Sequence, residues 1–274
     1  MTKIFKSPSG LVVERENMYF SLRHTISDLL SMSLEEARSI IQAANHQITV
    51  NQELWLAPID PIQEVWACGV TYLRSKVGRM EESEIPDLYS RVYDADRPEI
   101  FFKSAGWRVV PNGSPVGIRG DSGWDVPEAE IVLVVNSHQE IFGYTIGNDM
   151  SSRSIEGENT LYLPQAKSYE KSCTLGSYIV PAWEVDEVVF PISLKVERED
   201  KIVFTGESSS SQMKRTFPDL VSWLYRCLSM PHGVFLLTGT GIVPDAAFTL
   251  HEEDVITISA GVLGELRNRV VSVS

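Results

Sequence analysis

At 274 residues, 43% apolar and 22% charged, the chain has the composition of a soluble protein with one large core, as a single domain or a large domain with a small one. Its formal charge of -13, from 37 acidic against 24 basic residues with no Lys/Arg-rich cluster, excludes an electrostatic footprint for nucleic acid; an acidic small molecule binding here needs a local cation. Cys68, Cys173 and Cys227 are odd in number and outside any CxxC, the start MTKIFKSPSG lacks a signal-peptide core, and no apolar run reaches the ~18 residues of a membrane span, so a cytoplasmic protein without disulfides, zinc or membrane contact is expected.

In chain order, short strands are expected around the turn SPSG, at residues 4–5 and within 11–22, where alternating apolar positions flank turn residues. Ser33 and Glu36 form an S-x-x-E capping box, and Ala37, Ile40, Ile41 and Ala44 then repeat at helical spacing. The prolines of LAPIDPIQ, Pro58 and Pro61, force their predecessors out of helix and mark a boundary between a small N-terminal α+β domain, 1–60, and a larger domain, 61–274. VWACGVTY (65–72) reads as a buried strand. The polar LRSKVGRMEESEIPDLYSRVY after it reads as a surface helix with a mobile loop. From PEIFFK onward the chain is strand-rich and punctuated by glycines; TFPDLVSWLYRCLSM (216–230) is the clear amphipathic helix, with Leu220, Trp223, Leu224 and Cys227 on one face. The class is α+β, mostly β, without internal repeats.

PEAEIVLVVN opens with Glu128 and Glu130, which share a face if the segment is a strand. A second apolar run, IFGYTIGND, follows across SHQE. A two-residue hairpin at His138–Gln139 sets Asp149 opposite Glu128 and beside Glu130, although His-Gln lacks the Asn-Gly signature that fixes such a turn and a longer excursion is equally open. Three converging carboxylates repel one another unless a cation neutralises them, and all-oxygen ligands select Mg²⁺, Ca²⁺ or Mn²⁺. On spacing alone, a solvated edge strand with alternating glutamates is the favoured description of the segment, because E-x-E is common in strands.

The surroundings of these residues resemble the fumarylacetoacetate hydrolase family: EAE (128–130), GNDMSSR (147–153), AKSYEKSCTLGSYIVP (166–181), LLTGTGIVP (236–244) and EEDVITISAGVLGELRN (252–268) occur in the family's order, from about residue 65 to 270. The resemblance implies a mixed β-roll fold in a homodimer or homotetramer, with Glu128, Glu130 and Asp149 as ligands of Mg²⁺ (or Ca²⁺ or Mn²⁺) and Arg153 and Lys167 as site residues. By family position, Tyr72, Ser104 and Thr240 are polar contacts. Family hydrolases carry a histidine after the G-x-N-Y segment to activate water; GVTYLRSKVGRMEESE (69–84) has Arg74 and no histidine, and Glu156 stands where a glutamine is usual. With DLYSRVYDADRPEIFFK (87–103), these features are similar to the branch that dehydrates 2-keto-3-deoxy sugar acids such as 2-keto-3-deoxy-D-arabinonate.

Such a reaction passes through a metal-stabilised enolate and needs a base for C3 and an acid for the departing hydroxyl. Lys167 is the first choice for proton transfer, and Glu81, Glu82 or Glu84 of the lid for the second group. Arg74, Arg91 and Glu156 are expected to bind the small-molecule 2-keto acid. Phe101 and Phe102 are expected in the core, and His138, His232 and His251 in surface or structural roles. The alternatives are an acylpyruvate-type carbon-carbon hydrolase, a keto-acid decarboxylase, or a non-enzymatic sugar-acid-binding protein.

Overall fold

The computed structural model describes residues 1–51, 55–82 and 86–274, and the side chains of all of these except 79–82 and 86–89. The chain starts with an antiparallel meander, β1 (Lys3–Ser7), β2 (Gly10–Arg15) and β3 (Met18–Leu22). Glu16 and Asn17, both at positive φ, make the second turn, the backbone a two-residue hairpin requires. Helix α1 (Ile26–Leu30) starts at a Thr25–Asp28 capping box, and α2 (Leu34–Ala43) at the Ser33–Glu36 box read from the sequence. Strand β4 (Gln47–Ile48) returns to β3.

Strand β5 (Glu64–Gly69) is shorter than its apolar run, because Val70 turns to a φ of 53° and takes Thr71 and Tyr72 out of the strand. The polar stretch after it forms two helices, α3 (Leu73–Glu82) and α4 (Pro86–Asp94), and β6 (Glu99–Ala105) pairs antiparallel with β5. Next come β7 (Val116–Arg119), β8 (Asp125–Val126), β9 (Ala129–Val135), β10 (Ile141–Asp149) and β11 (Ser151–Ser152). Short helices α5 (Arg153–Glu158) and α6 (Leu163–Lys167) precede β12 (Cys173–Leu175), β13 (Tyr178–Pro181), β14 (Pro191–Arg198) and β15 (Lys201–Ser209). Helix α7 (Phe217–Leu224), β16 (Val234–Leu237), β17 (Val255–Ser259) and β18 (Glu265–Val273) complete the order. Helix α7 ends earlier than its apolar pattern suggests; Cys227 lies beyond it at a φ of 61°, exposed instead of on the buried face.

Among the described residues, the strands form a large mixed sheet in the order β4-β3-β2-β1-β13-β10-β9-β16-β5-β6, with β12 also on β10, a second sheet β15-β14-β17-β18-β7, and the small pair β11-β8. The expected α+β architecture of mixed sheets forms, and the sheets do not close into a barrel. The N-terminal meander is continuous with the large sheet, since β1 pairs with β13 (Ile4 with Ile179). One face of the central strands packs with β14, β17, β18 and α7; the other packs with Ile4, Leu11, Val13, Leu29 and Ile41 of the N-terminal layer. No helix among the described residues is long and apolar enough to cross a membrane.

Candidate active site

The β9–β10 hairpin delivers the three carboxylates. Its turn is wider than His138–Gln139: Asn136 N–H donates to Glu140 O and Ile141 faces Val135, one residue off the expected register. A β-bulge at Phe142 restores it, so that Gly147 faces Glu130 and Asn148 faces Ala129. Asp149 N–H then donates to Glu128 O at 3.1 Å, and Glu128 N–H to Asn148 Oδ1 at 3.1 Å. Glu128, Glu130 and Asp149 each offer an oxygen within 4.8 Å of the others, and all three are buried. The edge-strand alternative therefore falls away, because β9 lies inside the sheet between β10 and β16.

Three buried cations answer these anions. The Lys167 ammonium donates to Glu128 Oε2 (2.9 Å), Asp149 Oδ2 (3.0 Å) and Ser151 Oγ (2.7 Å), which uses all three of its N–H bonds. Arg153 sits at the first position of α5, directly after β11; Nη2 meets Glu128 Oε1 at 2.7 Å and Nη1 meets Glu156 Oε2 at 3.0 Å. Lys103, which the sequence reading did not single out, is wholly buried on β6, ion-pairs with Asp149 and donates to the carbonyls of Met150 (2.8 Å) and Lys167. Its only sequence signal is a lysine inside an apolar run at the register shift between β5 and β6, a place where a lone cation needs a buried anion.

Glu130 differs from its neighbours. Its Oε2 accepts the Gly239 N–H at 2.6 Å, and its Oε1 has no hydrogen-bond partner. Burial, then the charges of Asp149 and Glu128, push its carboxyl well above the usual range, against weaker opposition from Lys167 and the Gly239 N–H. Burial pushes Asp149 up as well, but Lys103 and then Lys167 outweigh it and hold that carboxyl below its ordinary value. At the separations seen, a pair of like charges repels by about 3 kcal/mol at an effective dielectric of about 20. A hard divalent ion fits this arrangement: it satisfies the orphaned Oε1 and offsets the repulsion among the three carboxylates. Gly239 makes the arrangement possible, because its φ of 91° aims the N–H at Glu130 and a Cβ there would overlap Thr71 Oγ1.

A narrow cavity of about 20 Å³, room for about one water, is lined by Glu128, Arg153, Glu156, Lys167 and Thr240 of the expected residues, and by Cys68, Ser75, Glu99 and Phe101 of those not expected. Phe101 packs partly buried against the core as expected and also lines the cavity, with Lys167 Nζ 5.6 Å from its ring centre; Phe102 is a correction to its core reading, since it is exposed. Tyr72 is buried beside the cavity without lining it, its hydroxyl pushed up by burial and the Glu130 charge. Ser104 is not brought to the cavity; its buried hydroxyl donates to Ala105 O. Arg74 and Arg91 are exposed on α3 and α4 and do not line it either. Glu84 and the side chains of Glu81 and Glu82 lie outside the described residues. Burial raises the Cys173 thiol to about 12 and the Cys68 thiol well up, so neither is an activated nucleophile.

Residues 65–271 match the model of the fumarylacetoacetate (FAA) hydrolase C-terminal family. A probable 2-keto-3-deoxyxylonate dehydratase of Haloferax volcanii is 42% identical over 256 residues, covering 92% of this chain and 86% of that one. A 2-dehydro-3-deoxy-D-arabinonate dehydratase of Saccharolobus solfataricus is 40% identical over 214 residues, covering 76% and 72%. Among solved structures, 2-keto-3-deoxy-D-arabinonate dehydratase complexed with magnesium and 2,5-dioxopentanoate superposes with a TM-score of 0.86 at 30% identity over 99% of both chains.

Proposed function

The chain belongs to the fumarylacetoacetate hydrolase family, and from that premise we propose that it is a Mg²⁺-dependent dehydratase of 2-keto-3-deoxy sugar acids. The observation that carries the reading is the buried carboxylate trio with one orphaned oxygen, in a chain 40–42% identical to two dehydratases of such acids. Glu128, Glu130 and Asp149 would hold the metal. When bound, the ion supplies positive charge to a keto acid's developing oxyanion.

The remaining chemistry belongs to the chain's own groups. Arg153, fixed between Glu128 and Glu156, offers a guanidinium to the substrate's anionic head, and Thr240 lines the same wall. Lys167 Nζ, which donates to three acceptors at the cavity wall, is the atom assigned to take the C3 proton once it has given up one of its own to solvent. Phe101 and the buried strands behind it exclude bulk water. Among the described residues no histidine lines the cavity, which supports dehydration over the hydrolytic alternative that needs an activated water.

We extend the proposal to a homodimer or homotetramer in the cytoplasm, and to a division into an N-terminal unit, 1–60, and a catalytic unit, 61–274. Arg74, Arg91, Tyr72, Ser104 and the lid glutamates Glu81 and Glu82 remain candidates for contact only after movement of α3 and α4. The test is product analysis with Mg²⁺: 2-keto-3-deoxypentonates should lose one water to give a five-carbon dioxo acid. Pyruvate released from acylpyruvates, with the pentonates left intact, would overturn the dehydratase reading in favour of a hydrolase.

A further inference from the structure

The guanidinium of Arg153 is set by Glu128 and Glu156, but its backbone is set by another part of the chain, the loop from Arg119 to Trp124 between β7 and β8. Helix α5 has six residues, too few to be stable on propensity alone, so its first turn depends on what holds it. Its N-cap, Ser152, accepts the Ile155 N–H at a long 3.4 Å and donates its own proton to Ser122 Oγ at 2.8 Å. Ser122 Oγ also lies 2.8 Å from Ser154 Oγ. One hydroxyl therefore joins the two residues that flank Arg153, while the Arg153 N–H donates to Trp124 O at 2.7 Å. Asp125, next in the chain, pairs with Ser152 across β8 and β11.

The loop is braced from outside the site. Arg119 grips Asp121 through Nε (2.7 Å) and Nη2 (2.6 Å), and its Nη1 donates to Gln165 O (3.2 Å) of α6, two residues before Lys167. The Gly120 N–H donates to Val273 O of β18 at 2.7 Å, and the Ser122 N–H to Arg119 O at 3.2 Å. Ser122 is half-buried and does not line the cavity, so its effect on a ligand passes through the residues it holds. Resting on the dehydratase reading, in which Arg153 meets the substrate's anionic head, we propose that Ser122 is a positioning residue for Arg153: its hydroxyl ties both neighbours of that arginine to the braced loop, so that α5 starts where the guanidinium faces the cavity. Once Ser152 loses this acceptor, the first turn of α5 loosens and carries Arg153 and Glu156 with it, because both lie on that helix. Glu128 then holds the guanidinium by one nitrogen, and its aim at the anionic head is lost.

The test measures the Kd of pyruvate, the head of the substrate without its tail, by calorimetry with Mg²⁺ present, alongside KM and kcat for a 2-keto-3-deoxypentonate. Ser122→Ala should weaken pyruvate binding at least about fivefold and raise KM by the same factor with kcat within about threefold, and Ser122→Thr, which keeps the hydroxyl, should restore both. In an Arg153→Lys background, which keeps the charge but not the two-pronged reach, Ser122→Ala should cost less than about twofold more. Pyruvate bound by Ser122→Ala as tightly as by wild type, or an equal loss in both backgrounds, would overturn the role of Ser122. So would a lower kcat at unchanged KM, which is what a smaller folded fraction produces. A wild type that binds pyruvate but dehydrates no pentonate would overturn the dehydratase reading instead, and the pyruvate constants would still decide whether Ser122 acts through Arg153. A wild type that binds no pyruvate would overturn both.

Discussion

Glu130 is the residue at which folding and function pull apart. A buried carboxyl with one unsatisfied oxygen beside two other carboxylates is a cost to the metal-free fold that only a cation or a proton relieves. Glu130→Gln should therefore melt at the same temperature as wild type, or higher, in EDTA. It should also lose the Mg²⁺-induced rise in melting temperature that wild type shows, and at least about 100-fold in metal affinity by calorimetry. A variant that still gains stability from Mg²⁺ as wild type does would remove Glu130 from the ligand set. Spacing put the three carboxylates on one face but favoured an edge strand for them; the trio became legible as a metal site only through the ordered family motifs around it, and the position of β9 inside the sheet removes the edge-strand reading. Lys103 and Glu99 were not legible, since a lysine and a glutamate flanking two phenylalanines read equally well as a surface strand; only the pairing of β6 with β5 shows which wall they face.

Among elements, capping boxes and strand alternation carried the most information and turn lengths the least. The Ser33–Glu36 box fixes the start of α2 through local hydrogen bonds, so it survives any tertiary context. The β9–β10 turn is set instead by Asn136, whose side chain accepts from His138 N–H and Glu140 N–H, and by the bulge at Phe142 that a turn-residue rule does not see. Helix α7 stops at Leu224 although its apolar pattern continues, because Tyr225 spends its hydroxyl on Asn136 O at 2.6 Å and the chain turns there. The LAPIDPIQ boundary proves to be a clasp: Asp60 accepts from Lys6 of β1 at 2.7 Å and from the Ser27 N–H of α1 at 2.8 Å. Burial raises the Asp60 carboxyl, but these partners outweigh it and the net shift is downward from 3.8. A depressed carboxyl stabilises the fold above its ordinary value and stops doing so as pH falls through the folded value. Asp60→Asn should thus be less stable than wild type by about 1–3 kcal/mol at pH 7. Urea titrations at a series of pH values should show that gap constant above about pH 5 and closing in acid; a gap independent of pH would mean that the charge on Asp60 contributes nothing.

For the whole molecule, the prolines at 58 and 61 show where the path of the chain changes but not what the N-terminal unit packs against. The pairing of β1 with β13 joins segments more than 170 positions apart in sequence, beyond any local pattern. It makes residues 1–60 an extension of the large sheet, and their apolar side chains share one core with the catalytic unit: Ile4, Leu11, Val13, Leu29 and Ile41 lie against Val132, Val134, Phe142, Ile179 and Leu237. Val132 and Val134 alternate along β9 with Ile131 and Leu133, which face the other core, and the same strand carries Glu130. Loss of the N-terminal layer would therefore expose one whole face of the strand pair that holds the metal ligands. The two units should unfold as a single cooperative transition in calorimetry, with Mg²⁺ shifting that transition as a whole. Two resolved transitions, of which Mg²⁺ moves only the higher, would instead establish residues 1–60 as an independently stable domain, attached to the catalytic fold without supporting its site.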